Sequence, residues 1–466
     1  MKKAKRIKYK YICLILFSAV MFSLNNFIVS AEPSAYDNIL QMQSEAFVLM
    51  DGDTGQVLFE RSMNGRIYPA STTKVMTALL ALEKGSLTDI ITMSHDAVFS
   101  VGRDTSHIAL DENEQLTLEQ ALYGLAICSA NDAANGIAEL IGGSMPEFAR
   151  QMTAKAKELG ALNTNFANAH GLHDENHYST VYDMALIMSA AIKIPEFTKI
   201  FSAVSYTMPP TNRQPESRPF NRKNSLIEGP NKYNGVIAEK TGWTGDAGFT
   251  YVAAAKRSGR TLIVAIKSPS ESIRWEESAV LFDYGFNEFT PLSYNAAEFS
   301  KDKYVIEGTD GSKISAKLIP DGDFNCLVLK SLNKDDIEIK YAFSADATTG
   351  KTDFRAVFEL KPESAYMFKE LGESKLKIYF TNEKSSPVSG NAIIDTGTGQ
   401  QEKSKFSLIS VILKIFSVIL QIIGFLTVIW LGLYIRKNII VKKRRQRKYN
   451  NYNSNSNNNS NNPMFK

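Results

Sequence analysis

Cysteine is scarce in this chain of 466 residues: Cys13, Cys128 and Cys326 are the only three. Cys13 sits in an apolar N-terminal run and the other two lie far apart, so no disulfide framework is expected, and both are read as buried apolar residues. Histidine is nearly as rare, with five, yet His170, His173 and His177 fall within eight residues. Such a cluster raises zinc as an alternative. However, no His-Glu-x-x-His pattern accompanies it and the surrounding loop is rich in Asn and Asp, so loop packing is favoured and neither metal nor cofactor is expected. Acidic residues are absent from residues 1–31 and 436–466, which hold six and nine of the 53 basic side chains. What remains, residues 32–435, carries 38 Lys+Arg against 49 Asp+Glu, net −11. A body of that sign argues against nucleic acid as partner, because phosphate contacts need a basic face.

The apolar runs at the two ends carry the targeting information. Residues 11–24 follow a Lys-rich start and precede Val29-Ser30-Ala31, the pattern of a secretory signal cleaved after Ala31. That run falls short of the roughly 20 residues a membrane span needs. Residues 415–435 contain no charge and are followed by Arg436, Lys437, Lys442, Lys443, Arg444, Arg445, Arg447 and Lys448. The expectation is a single C-terminal transmembrane helix with its basic flank in the cytoplasm and the body of the chain outside. Residues 406–413 either lengthen a tilted span or lie along the outer interface. Residues 449–462 are mostly Asn and Ser, a composition that builds no core.

Between the ends, residues 45–60 read as a β-hairpin around a Gly/Asp turn. A helical stretch opens at Ser71 and runs to Gly85; others cover 118–127, resume after Ser129-Ala130-Asn131 as far as Ile141, and cover 145–159 and 180–193, with Thr180 and Asp183 placed as a capping box. From Ile237 the pattern changes to β: strands at 237–242, 249–255 and 261–267 precede a helix at 273–284. Strands at both ends of a helical middle predict an α/β (α+β) domain over residues 32–289, one antiparallel sheet backed by helices. Alternating runs at 314–319, 326–330, 337–343, 354–360 and 376–380 predict a small β-rich domain over 290–382. A Ser/Gly/Thr-rich linker follows at 383–405, then the anchor at 406–435 and the basic, Asn-rich tail at 436–466.

Three short motifs carry chemistry. In Ser71-Thr72-Thr73-Lys74 the first and last residues share a helix face, so a lysine made neutral by burial and nearby positive charge can take the serine proton. Alone, the S-x-x-K pattern is as well explained by a helix cap and a solvated lysine. Ser129-Ala130-Asn131 falls at a break between helices, where a hydroxyl and an amide can face a cleft. Lys240-Thr241-Gly242 lies on a predicted strand and sets an ammonium and a hydroxyl beside a residue with no side chain, against which a substrate strand can lie.

In that order and spacing the motifs resemble those of penicillin-binding proteins and serine β-lactamases. With Tyr68-Pro-Ala-Ser-Thr-Thr-Lys-Val-Met-Thr77, Asn168-Ala-His-Gly-Leu172 and Glu239-Lys-Thr-Gly-Trp-Thr-Gly-Asp-Ala-Gly-Phe249, residues 40–290 are similar to the low-molecular-mass D-alanyl-D-alanine carboxypeptidases. The resemblance implies the penicillin-binding/β-lactamase-like fold and a serine peptidase acting on peptidoglycan stem peptides. Ser71 would attack the carbonyl between the two D-alanines, Lys74 would take its proton, and Ser129 would relay a proton to the leaving D-alanine. Asn131 would position the substrate amide, Lys240 and Thr241 would hold the terminal carboxylate beside Gly242, and the N–H groups of Ser71 and Trp243 would form the oxyanion hole. Arg274 resembles a family arginine near the pocket. β-Lactams would acylate Ser71. Two features depart from the family pattern: Ala130 stands where many relatives have Gly, and a span stands where an amphipathic terminal helix is common. A β-lactamase is disfavoured because residues 163–167, Asn-Thr-Asn-Phe-Ala, replace the Glu-x-x-Leu-Asn element that positions deacylating water. An endopeptidase or transpeptidase of the same fold, and a non-catalytic wall-binding membrane protein, are the remaining alternatives.

Overall fold

The computed structural model describes residues 41–380 apart from 224, 308–312, 346–351, 363 and 365–368. The expected signal, the linker, residues 406–435 and the basic tail lie outside the described residues. Among the described residues no helix is long and apolar enough to cross a membrane.

The fold opens with a hairpin of β1 (Ala46–Asp51) and β2 (Val57–Arg61), its turn closed by Thr54, which donates from N and Oγ1 to Asp51. A 3-10 turn, Ala70–Thr73, leads into α1 (Lys74–Lys84). A short ribbon, β3 (Ile90–Thr92) and β4 (Gln115–Thr117), encloses α2 (His95–Phe99). Four helices follow: α3 (Leu118–Ile127), capped by a Thr117–Gln120 box; α4 (Asn131–Gly142); α5 (Met145–Glu158), with Ser144 at its N-cap and Pro146 in its first turn; and α6 (Val181–Ala191). After α7 (Pro195–Phe201) come the hairpin β5 (Ser205–Met208) and β6 (Arg218–Asn221), the meander β7 (Val236–Thr244), β8 (Gly248–Arg257) and β9 (Arg260–Ser268), and α8 (Glu271–Glu288).

The principal sheet runs β2-β1-β9-β8-β7 and is antiparallel throughout. Pairing of β1 with β9, from Ala46 opposite Lys267 to Asp51 opposite Leu262, returns the last strand to the first. Alternation along the strands splits the core in two. Val48, Met50, Val252, Ala254, Ile263 and Ala265 face the helices, whereas Phe47, Leu49, Tyr251, Leu262, Val264 and Ile266 pack on α8 with Trp275, Leu281 and Phe282. Covered on both faces, β8 and β9 read as nearly continuous apolar runs. Helix α1 is buried from Lys74 to Ala81, so its N-terminal lysine enters the core with it.

Beyond α8, β10 (Phe289–Tyr294) leads through α9 (Ala296–Phe299) to β11 (Lys301–Glu307), β12 (Lys313–Pro320), β13 (Phe324–Leu329), β14 (Ile337–Ala345), β15 (Thr352–Leu360) and β16 (Glu370–Phe380). β10 pairs with β13, and a second sheet runs β11-β12-β16-β15-β14 over a core centred on Phe299, Phe324 and Phe358. The Gln56 side chain donates to Leu327 O at 2.8 Å and accepts from Leu327 N at 2.7 Å, fastening the first hairpin to β13.

The main helices and strands fall within a few residues of their expected positions; β3–β4, α7 and β5–β6 had no sequence expectation. The capping box on α6 is half made. Thr180 Oγ1 accepts from Asp183 N, but the Asp183 carboxylate turns to Asn163 N and Thr164 Oγ1.

Candidate functional site

Ser71 stands on the 3-10 turn that feeds α1. Ala70 before it has φ of 48°, a left-handed conformation that costs a non-glycine residue about 1–3 kcal/mol. Thr72 secures the turn by donating from N at 3.2 Å and from Oγ1 at 2.6 Å to Pro69 O. Lys74, one helical turn on, is fully buried, and its Nζ lies 3.0 Å from Ser71 Oγ, 2.7 Å from Asn131 Oδ1 and 2.5 Å from His170 O. Burial, with the like charge of Lys240 behind it, holds the Lys74 ammonium well below its ordinary value against a smaller opposing effect of Asp132. A neutral amine has two hydrogens and a lone pair. Asn131 Oδ1 and His170 O are acceptors and take the hydrogens, so the lone pair is left for the Ser71 hydroxyl.

Ser129 joins α3 to α4 with φ of 57°, and its buried Oγ has no hydrogen-bond partner. A strained backbone carrying an unsatisfied hydroxyl is the kind of exception a functional site explains. Asn131 N donates to Ser106 O, while the Asp132 carboxylate accepts from Ile108 N and Leu110 N, pinning the 106–110 loop to the start of α4.

The opposite wall is β7, the edge strand of its sheet. A Cβ on Gly242 would lie 2.8 Å from Pro69 O and 3.0 Å from Ser71 N, so only glycine lets β7 pass this close to the serine turn. Thr250 Oγ1 donates to the same Pro69 carbonyl at 2.9 Å. Lys240 is buried, with Nζ 2.8 Å from Thr241 O. Burial first, then Arg222 and Arg274, lower it to about 7, while Glu239 and Cys128 oppose. Arg274 lies under this wall, its guanidinium 4.2 Å from the Trp275 ring centroid and 3.5 Å from Gly242 O. Trp243 is 61% exposed, 6.3 Å from the Phe249 ring.

The histidine-rich segment closes the third side. His177 Nδ1 accepts from Ala167 N at 3.0 Å, so Nε2 carries the proton and donates to Thr73 Oγ1 at 2.7 Å. Burial lowers His177 to about 4. His170 supplies its carbonyl to Lys74, while its Nδ1 accepts from Leu172 N. Gly171, at φ of 88°, could carry no Cβ, which would fall 1.8 Å from Ala70 O. His173 stacks edge-on against Tyr68 instead. Among the described residues no group of three or more His, Cys, Asp or Glu is placed to hold a metal ion.

Ser71, Lys74, Asn131, Lys240 and Gly242 therefore come together, with Ser129 two residues before Asn131 and Trp243 following Gly242 on β7. Sequence reasoning missed the His170 carbonyl and the buried carboxylates Asp132 and Glu239, whereas His177, read as loop packing, does pack its loop, against Thr73. The Asn168-Ala-His-Gly-Leu172 segment marked the region but not the backbone atom that matters.

Residues 30–268, just over half of the chain, match the family model described as D-alanyl-D-alanine carboxypeptidase. The chain belongs to that family. It is 36% identical over 258 residues to the D-alanyl-D-alanine carboxypeptidase DacF of Bacillus subtilis, covering 54% of this chain and 64% of the relative, somewhat less than two thirds of its length. It is 34% identical over 313 residues to the D-alanyl-D-alanine carboxypeptidase DacA of Haemophilus influenzae, covering 65% of this chain and 77% of the relative. The crystal structure of penicillin binding protein 5 from Haemophilus influenzae superposes with a TM-score of 0.57 at 29% identity, over 72% of this chain and 97% of that one.

Proposed function

We propose that this protein is a serine D,D-carboxypeptidase that removes the terminal D-alanine from peptidoglycan stem pentapeptides through an acyl-enzyme on Ser71, and that β-lactams acylate the same serine. The observation that carries the reading is the buried Lys74 amine, 3.0 Å from Ser71 Oγ with carbonyl acceptors on its other two sides. Lys74 takes the Ser71 proton as Oγ bonds to the carbonyl carbon between the D-alanines. The tetrahedral oxyanion rests on the N–H groups of Ser71 and Trp243, an arrangement in which each donor contributes about 3–4 kcal/mol to the transition state. The C–N bond then breaks as the proton held by Lys74 passes through Ser129 to the departing amine; water then attacks the acyl carbonyl, its proton returning to Ser71 by the same groups, and the shortened peptide leaves. Asn131 orients the substrate amide; protonated Lys240 and Thr241 hold the terminal carboxylate, with Gly242 leaving room for the peptide along β7.

One thing favours this reading over a β-lactamase. Residues 163–167, Asn-Thr-Asn-Phe-Ala, stand in place of a Glu-x-x-Leu-Asn element, and Asn163 N and Thr164 Oγ1 donate to Asp183. Residues 32–289 form the peptidase domain and 290–382 the β-rich one. The N-terminal signal directs export, residues 406–435 anchor the chain in the cell membrane as a single pass, and the basic tail remains in the cytoplasm. The charge-free run and the basic flank after it support this topology.

Intact-mass spectrometry of the full-length chain with penicillin G, beside a Ser71→Ala control, tests the nucleophile; D-alanine release from a diacetyl-Lys-D-Ala-D-Ala peptide tests the reaction. One stable penicilloyl adduct, absent in the control, with D-alanine released, is expected. An adduct without release points to transpeptidation, rapid penicillin turnover to a β-lactamase, and no adduct defeats the serine mechanism.

A further inference from the structure

Directly before Lys240 on β7 stands a carboxylate for which the reaction has no use. Glu239 is fully buried on the α8 side of the sheet, since neighbouring strand residues point to opposite faces. It accepts from Arg222 Nη1 at 3.1 Å, from Tyr251 Oη at 2.6 Å and from Leu226 N at 3.1 Å. Arg222, just after β6, is itself nearly buried and also donates to the carbonyls closing α7, Nε to Ala203 O at 3.0 Å and Nη2 to Phe201 O at 2.9 Å. One ion pair thus ties the edge strand of the active-site wall to α7, β6 and β8. Burying such a pair is weak grounds for stability, because desolvation offsets most of the attraction. Its place beside Lys240 suggests a different use.

We propose that Glu239 and Arg222 form a positioning pair for Lys240, holding β7 in register with the serine turn and acting on the Lys240 ammonium with opposed charges. The inference rests on the reading of Lys240 as the anchor for a substrate carboxylate. Around Lys240 stand Arg222 and Arg274, which oppose its charge, Glu239 and Cys128, which favour it, and Lys74 across the cleft. Removing the carboxylate therefore makes Lys240 lose its proton at lower pH, and removing the guanidinium has the reverse effect. A merely structural pair would respond the same way to loss of either partner.

The test is the pH dependence of penicillin G acylation by the full-length chain in detergent. Glu239→Gln is expected to move the alkaline limb down by about one pH unit, and Arg222→Gln to move it up by about as much. The double replacement is expected to return it near the wild-type position. Arg222→Lys keeps the charge but loses the fork to Phe201 and Ala203; it is expected to slow acylation severalfold without moving the limb, and it guards against a folding artefact. In parallel, competitive acetylation of Lys240 read by peptide mass spectrometry follows its titration without any turnover, and the same opposed shifts are expected. Shifts of one sign in both single variants, or none by acetylation, overturn the proposal. Wild-type protein that takes no penicilloyl group would defeat the serine reading, and the acetylation profiles would still decide on the pair.

Discussion

At the scale of single residues the cleft depends on protonation states that burial has moved. In the proposed mechanism Lys74 is neutral as the base and Lys240 charged as the anchor, although both are buried. With Lys240 at about 7, the free enzyme holds its anchor proton below that pH and loses it above, so kcat/KM is expected to fall on the alkaline side of neutrality. Stopped-flow acylation across pH checks this. Lys74→Arg presents a bulkier group that does not give up its proton; acylation is expected to drop about 10²–10⁴-fold, the usual contribution of a general base, and the thermal melt to fall as well, because a permanent charge is then buried where a neutral amine sat. Gly242→Ala would drive a methyl to 2.3 Å from Thr250 Oγ1 and 2.8 Å from Pro69 O. The expected result is about 1–3 kcal/mol of lost stability, the cost of overpacking, together with severe loss of acylation as β7 backs away from Ser71.

At the scale of elements, the serine turn is held from behind by a loop rather than by its own helix. His177 links the segment after α5 to Thr73 through a proton it can donate only while its Nδ1 accepts from Ala167. Held at about 4, it refuses a second proton that the unfolded chain takes up near its ordinary 6.5. Stability from this site is therefore complete above about pH 6.5 and is lost as pH falls toward 4, in all about 3 kcal/mol. Guanidinium melts at a series of pH values should show that slope, and His177→Gln should flatten it between pH 6.5 and 4. A slope unchanged in the variant would assign the acid sensitivity to other groups.

At the scale of the whole described molecule, the first hairpin of the principal sheet is fastened to the β10–β13 ribbon, with Gln56 satisfying both backbone groups of the buried Leu327. Gln56→Ala is expected to cost about 1–3 kcal/mol for the unpaired groups and to leave penicillin acylation within about twofold of wild type, because the contact lies apart from the cleft.

Much of this was legible in local pattern. β-prone runs marked β7, β8 and β9, the amphipathic pattern marked α5 and α6, and the Thr180–Asp183 pair marked the start of α6, because those signals depend on neighbours along the chain. Ser71, Lys74, Ser129, Asn131 and Lys240 were recognisable as motifs, since each short run keeps a fixed local geometry. Tertiary structure alone decided the rest. It set β1 against β9, brought Asn131 and the His170 carbonyl to the Lys74 amine, and paired Glu239 with Arg222. A residue's charge state is set by what surrounds it in space, and the groups around Lys74 and Lys240 come from segments that no local period connects.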